Sequence, residues 1–240
     1  MRTPFPVIEM EARVALARRR LLALNVLVPL SLVTPIALGA APDPHAAAVY
    51  AVLFVLFGTF GSAIPLVRDA ESGLLERILS TGLPAASYLL QRSASGSVID
   101  AIQLLPALIV AGAGLGLPVG RLGAAWVVLA ASLWIANLLG VLVASVARSL
   151  AETALVAAVC ALLLLHLSGV FRTPTPSSVW AWLEAASPFR ALHEILLALP
   201  GSTLPSAHRA TLVWTLALPA ITALLAGSLA RALRAVEGAR

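Results

Sequence analysis

The sequence contains no lysine, a single cysteine and few charged residues of any kind. All sixteen basic residues among the 240 are arginines, and charged residues make up only 11% of the chain. A phosphate-binding loop of the P-loop type needs a lysine that reaches the β- and γ-phosphates of a nucleotide. The chain therefore cannot carry such a loop. Cys160 alone can form neither an internal disulfide nor a metal cluster, so we expect no cofactor in this chain.

Hydrophobic residues dominate instead, at 60% of the chain with a mean hydropathy of +0.97. They fall in runs long enough to cross a bilayer, which takes about 20 helical residues. Only helices and closed barrels satisfy the backbone in lipid, and the alternation of barrel strands is missing. We therefore predict an all-α integral membrane protein with one domain, 1–240, and six transmembrane helices. The predicted spans are 21–41, 46–67, 94–117, 122–147, 152–171 and 210–232.

Three further segments differ in composition from the apolar spans. In residues 1–20, apolar side chains recur at steps of three and four, which indicates an amphipathic helix in the membrane interface. The loop 68–92 is charged. The loop 172–209 is rich in proline, and we predict that it forms two short helices in the outer leaflet, over 179–185 and 189–199.

The distribution of arginine predicts the orientation. With the N-terminus inside, twelve arginines lie in inner segments, and four lie in outer ones: Arg121, Arg172, Arg190 and Arg209. Cytoplasmic segments of membrane proteins carry the excess of positive charge, so we predict that both termini are cytoplasmic. The same rule accounts for the net charge of +5, and we expect no nucleic-acid partner.

Two stretches carry a resemblance to a known family. The first has acidic residues, a glycine, a leucine–glutamate pair and then a proline: Asp69, Glu71, Gly73, Leu75-Glu76 and Pro84. The second follows the fifth predicted span and reads Ser168-Gly169-Val170-Phe171, then Pro174, Trp180, Trp182 and Ser187-Pro188-Phe189. With the six spans, these stretches resemble the permeases of type-2 ABC exporters, which move drugs, lipids and glycans outward.

The resemblance implies partners and roles. A short coupling helix would sit in a groove of a cytoplasmic ATPase, with Glu71, Gly73, Leu74, Leu75, Glu76, Ile78 and Leu79 making the contact. Two ATPase copies would bind ATP and Mg, and a second permease copy or paralogue would complete the path in the plasma membrane. The outer gate would include Ser168, Gly169, Phe171, Pro188 and Phe189. From its residues alone, the segment is also compatible with an amphipathic helix lying on the membrane.

Four polar residues lie within the predicted spans. They are Asp100, Gln103, Asn137 and His166. Such residues usually face the bundle interior or a water-filled path, so they are candidates for the translocation path or a dimer interface. A hydrogen bond between helices explains them equally well. His193 and Glu194 lack the paired glutamates of a membrane protease, and we predict no catalytic or metal site.

Two alternative functions stay open. The haem-export permease of cytochrome c maturation is similar in size, and Asn25, Pro29 and Pro35 fit its pattern, although that family lacks the long outer loop. An ATP-independent secondary transporter or channel would show inverted repeats and several ion-coupling residues. We find no convincing repeat between 21–117 and 122–232. The substrate is not determined by the sequence.

Overall fold

The structure is a computed structural model that describes residues 6–39, 41–171, 179–197 and 208–237. These residues form ten helices and no strand. The helices are α1 (Pro6–Ala17), α2 (Arg19–Leu38), α3 (Asp43–Glu71), α4 (Leu74–Ser80), α5 (Ala85–Gly114), α6 (Val119–Val146), α7 (Leu150–Leu167), α8 (Val179–Ala185), α9 (Arg190–Leu197) and α10 (His208–Glu237). Six of them are long and apolar enough to span a membrane, namely α2, α3, α5, α6, α7 and α10. The predicted all-helical fold with six membrane spans is confirmed.

The region between the second and third spans differs most from the prediction. Helix α3 continues to Glu71, and α5 already begins at Ala85, so the predicted loop 68–92 is reduced to 72–84 with α4 inside it. The first two turns of α5 include Ser87, Gln91 and Arg92, and hydropathy does not identify such a mixed segment as part of a span. Helix α1 packs against α5 and covers part of this polar surface.

Helix α6 lies at the centre of the bundle, and α3, α5 and α10 all pack against it. The main core contains large side chains from these helices, among them Tyr50, Phe54, Leu108 and Leu133. Helices α2 and α5 cross closely at Gly114. A Cβ placed there would lie 2.8 Å from the Cα of Ala37, so only glycine fits this crossing.

The two ends of the bundle are distinct. At one end, called here the α4 end, α1, α4 and the last turns of α10 meet in a second apolar cluster that includes Val7, Leu75 and Leu233. At the other, the α9 end, α9 packs against α3, α6 and α10. The first and last described helices therefore share the α4 end, as the predicted topology requires.

The predicted interfacial segment and external loop are described in part. Helix α1 forms within 1–20, and α8 and α9 form within 172–209. Residues 1–5, 172–178 with Pro174, and 198–207 lie outside the described residues. The positions of α1, α8 and α9 relative to a membrane stay predictions.

Candidate functional site

A cavity of about 710 Å³ opens between α1, α2, α3 and α5 in the half of the bundle near the α4 end. Its walls are mainly apolar. Asn25, Asp100 and Gln103 line its deep part. A group of charged residues surrounds its mouth, namely Glu11, Arg18, Arg68, Asp69 and Arg92. A single chain thus forms a sizeable cavity, and a path completed by a second copy stays a prediction.

Asp100 belongs to a polar layer that joins three spans. Its Oδ2 accepts a hydrogen bond of 3.3 Å from Nδ2 of Asn137 on α6. The same amide nitrogen donates to the carbonyl oxygen of Leu133 at 2.9 Å, and the amide oxygen accepts a hydrogen bond from the hydroxyl of Ser62 on α3. Asn137 is fully buried, whereas Asp100 also lines the cavity. The layer therefore combines a bond between helices with a cavity wall.

Gly96 allows this layer to form. A Cβ at this position would lie 2.7 Å from Oδ1 of Asn137 and 3.3 Å from Oγ of Ser62. The first distance is too short for unstrained contact and the second is tight, so a side chain at 96 would displace the amide. The glycine on α5 thus lets the backbone approach both polar groups closely.

A buried arginine organises the mouth of the cavity. The Arg92 side chain on α5 is only 7% exposed, and it pairs with Glu11 on α1 and with Asp69 near the end of α3. A buried guanidinium is tolerated when its charge is paired in this way. The cluster fixes α1 against the two spans that flank α4.

Helix α4 packs its apolar face into the bundle. Leu75 is 1% exposed, and Ile78 and Leu79 pack half-buried against the same cluster. Leu74, Glu76 and Arg77 are on the exposed side. Part of the apolar face that the family resemblance assigns to an ATPase groove is thus packed against the protein itself, whereas Leu74 on the same face is exposed.

Two features hold α4 at its ends. Gly73 precedes the helix with φ 69°, in the left-handed region that favours glycine. Oε2 of Glu76 lies 3.7 Å from Nη1 of Arg234 on α10, in a partly exposed ion pair. The segment is therefore connected to α3 through a tight turn and to α10 through charge.

The candidate outer-gate residues form a compact junction at the α9 end. The hydroxyls of Ser168 and Ser187 lie 2.5 Å apart, and Phe189 is buried in the main core. The carbonyl oxygen of Pro188 accepts a bond of 2.8 Å from the hydroxyl of Thr211 on α10. This junction joins the end of α7, the turn between α8 and α9, and the start of α10.

Two predicted site residues, Phe171 and His166, lie apart from the cavity, the polar layer and the junction at the α9 end. Phe171 is 53% exposed, and its ring stacks on His166 with centroids 6.4 Å apart. His166 is exposed and does not line the cavity. Of the four polar residues in the spans, Asp100, Gln103 and Asn137 come together, and His166 lies apart.

Sequence reasoning missed the partners that complete these groups. Ser62 and Gly96 lie within long helices as small residues, and neither gives a signal on its own. Glu11, Asp69 and Arg92 are far apart in sequence, and only the packing of α1 onto α5 brings them together. Among the described residues, no three His, Cys, Asp or Glu side chains are placed to hold a metal ion.

Six spans, a cavity inside the bundle and a short connecting helix on its surface are features of a membrane transport protein. A family model described as ABC-2 type transporter matches residues 19–199, which is well over half of the chain. The chain belongs to the ABC-2 type transporter family, as a permease component. The matched range begins at α2 and extends just past α9. No curated protein gives a significant match.

Proposed function

We propose that the chain is the permease subunit of an ATP-driven exporter, in which two permease chains work with two ATPase subunits. One observation carries this proposal. Helix α4 lies between the second and third spans with its inner face anchored in the bundle and its outer face exposed. A rigid element in that position can receive motion from a partner and pass it to the spans.

The anchoring revises the roles of the coupling residues. Leu75, Ile78 and Leu79 hold α4 on the bundle, so direct contact with an ATPase falls to Leu74, Glu76 and Arg77. Gly73 provides the turn that separates α4 from α3, and Glu71 ends α3. A push on the exposed side is then transmitted through packed apolar contacts, which deform little.

We propose that a partner polypeptide hydrolyses the ATP. Without lysine the chain has no P-loop, so ATP and Mg would bind to the partner ATPase. With the α4 end in the cytoplasm, the excess of arginine also lies inside, as the rule for positive charge requires. We therefore place both termini in the cytoplasm and the protein in the plasma membrane.

The deep polar layer would contribute to the path or to its control. Asp100 and Gln103 line the cavity, and Asn137 ties Asp100 to α6 and α3. The junction of Ser168 and Ser187 with Pro188 and Phe189 would close the opposite end. Opening it requires separation of α7 from the turn between α8 and α9.

The test is affinity purification of the tagged chain from its native membranes in mild detergent. We expect an ATPase with a P-loop to copurify, and the mass of the complex to fit two copies of each subunit. Charge reversal on the exposed side of α4, with Glu76→Arg and Arg77→Glu, should remove the ATPase. Arg148→Glu, on the turn between α6 and α7 at the same end, is the matched control and should retain it.

Two results would contradict the proposal. The first is purification of the chain alone under conditions that keep other ABC complexes intact. The second is equal loss of the ATPase in the α4 variant and in the Arg148 control, which would mean that α4 has no special role. A complex with one permease chain would contradict only the stoichiometry.

A further inference from the structure

The cavity extends along α5 by a length close to the thickness of one membrane leaflet. Arg92 and Gln103 both line it and lie eleven positions apart on α5. At about 1.5 Å per helical residue, they are separated by roughly 16 Å along the axis of α5. The hydrocarbon core of a bilayer is about 30 Å thick, so one leaflet is about 15 Å deep.

The cavity wall between the mouth and the deep polar residues is apolar. Leu21, Leu22, Phe57, Ile64 and Ile99 contribute to it. Such a surface has no polar groups to replace the hydration shell of a sugar or a small anion. It suits an alkyl chain, whose transfer from water is favourable by about 25 cal/mol per Å² of apolar area.

The arginines at the mouth of the cavity differ in their burial and in their ion pairs. Arg92 is buried and forms ion pairs with the carboxylates of Glu11 and Asp69. The charges of Arg68 and Arg18 also act on Asp69, from beyond ion-pair distance. Arg18 and Arg68 also line the mouth and are exposed, and neither forms an ion pair within 4 Å with any residue that the structure describes. Their guanidinium groups thus keep the capacity for two-pronged hydrogen bonding to a phosphate or carboxylate.

Arg18 lies at the break between α1 and α2, and this break places it at the mouth of the cavity. Three arginines follow one another at 18–20, and only Arg18 lines the cavity. Its backbone, with φ −93° and ψ 53°, is not helical, and it separates the two helices. Arg19 and Arg20 belong to α2 and are exposed outside the cavity.

We propose that the cavity binds a membrane amphiphile from the cytoplasmic leaflet, with its anionic head group held by Arg18 and Arg68 and its alkyl chain along α2, α3 and α5. This inference rests on the proposed function for the orientation of the α4 end. The arginines at the mouth match the head group, and the apolar wall between the mouth and the deep polar residues Asn25, Asp100 and Gln103 matches the alkyl chain.

The test is native mass spectrometry of the full chain in detergent, titrated with phosphatidylglycerol or phosphatidylcholine of the same acyl composition. The wild type should bind phosphatidylglycerol more tightly. An arginine near a head group contributes about 1 kcal/mol, or roughly fivefold in affinity. The double variant Arg18→Gln with Arg68→Gln should therefore lower the affinity for phosphatidylglycerol by roughly 25-fold. Phosphatidylcholine binding should change little.

The matched control is Arg20→Gln with Arg231→Gln, which removes two exposed arginines at the same end of the bundle but outside the cavity. It should keep the preference for phosphatidylglycerol. Ile99→Trp, which fills the cavity, should weaken the binding of both lipids. Glycerol 3-phosphate, a head group without chains, should not compete at lipid concentrations.

Several results would overturn the inference. These are equal affinity of the wild type for the two lipids, an equal loss in the control variant, and competition by glycerol 3-phosphate at lipid concentrations. Thermal unfolding of each variant shows whether it is folded. ATPase copurification is a separate readout, so a wild type that shows no lipid preference but retains the ATPase refutes the lipid site and leaves the exporter proposal intact.

Discussion

Nη2 of Arg92 lies 3.3 Å from Oδ2 of Asp69, and the other terminal nitrogen of the same guanidinium contacts Glu11. Asp69 is on the last turn of α3, four residues before the glycine that begins the turn into α4. The ion cluster therefore connects the N-terminal helix with the span that leads directly to the proposed coupling element. We therefore expect a displacement of α4 to reach α1 through these charges.

Replacement of Arg92 by glutamine should destabilise the protein by roughly 3 kcal/mol, because it leaves two partly buried carboxylates without their cation. The measurement is thermal unfolding in detergent. Arg92→Gln combined with Glu11→Gln and Asp69→Asn should recover part of the loss. Arg13→Gln, which removes an exposed ion pair within α1, is the control and should have little effect. An equal loss in both single variants would contradict a special role for Arg92.

Gly96→Ala should disturb the polar layer between α3, α5 and α6. The added methyl group would lie 2.7 Å from Oδ1 of Asn137, and overpacking of this kind costs about 1–3 kcal/mol. Thermal unfolding measures the loss. Gly123→Ala on α6 is the matched control, because a Cβ there has no described atom within 4 Å. It should be neutral or stabilising, and destabilisation by the control alone would refute the packing argument.

The fold could be predicted from the sequence because each span is a long apolar run without the alternation of a barrel strand. In lipid, the remaining way to satisfy the backbone is a helix. The start of the third span could not be predicted in this way. Residues 85–93 are helical but of mixed polarity, and hydropathy identifies only the apolar part of a helix. The helix starts at Ala85, directly after Pro84, and α1 packs against it.

The candidate site was predictable only in part. Asp100 and Gln103 were identified because polar groups in a span are costly and share a helix face at this spacing. Their surroundings were not, since Ser62, Gly96 and Asn137 meet only through the tertiary packing of three helices. The burial of Leu75 shows the same limit. Periodicity gives the apolar face of α4, but it does not tell whether that face meets a partner or the chain itself.

Leu74 and Leu75 are adjacent on α4, but we expect their substitution by alanine to affect different properties, namely capture of the ATPase and stability. Leu75 is 1% exposed, so Leu75→Ala should leave a cavity and cost roughly 2–5 kcal/mol in thermal unfolding. Leu74 is 38% exposed, and Leu74→Ala should change stability by about 0.5 kcal/mol or less while weakening capture of the ATPase. Weakened capture with Leu75→Ala at unchanged stability would mean that α4 rotates to expose its apolar face.

His193 on α9 should make the α9 end sensitive to acid. Burial lowers the pKa of His193 below its ordinary value, and this effect outweighs the opposing ones of the Ser168 backbone and of Glu194. The folded protein therefore favours the neutral imidazole, whereas the unfolded chain takes up a proton below a pH of about 6.5. Its contribution to stability is complete above that pH and is lost as the pH falls further.

The measurement for His193 is the midpoint of thermal unfolding between pH 8 and pH 5. The wild-type midpoint should decrease below a pH of about 6.5, and His193→Gln should show a smaller decrease even if its midpoint at pH 8 is lower. His166→Gln, at an exposed position near the same end, should keep the full decrease. An identical pH profile for His193→Gln and the wild type would assign the acid sensitivity to other groups, because removing this imidazole would then have changed no proton uptake on unfolding.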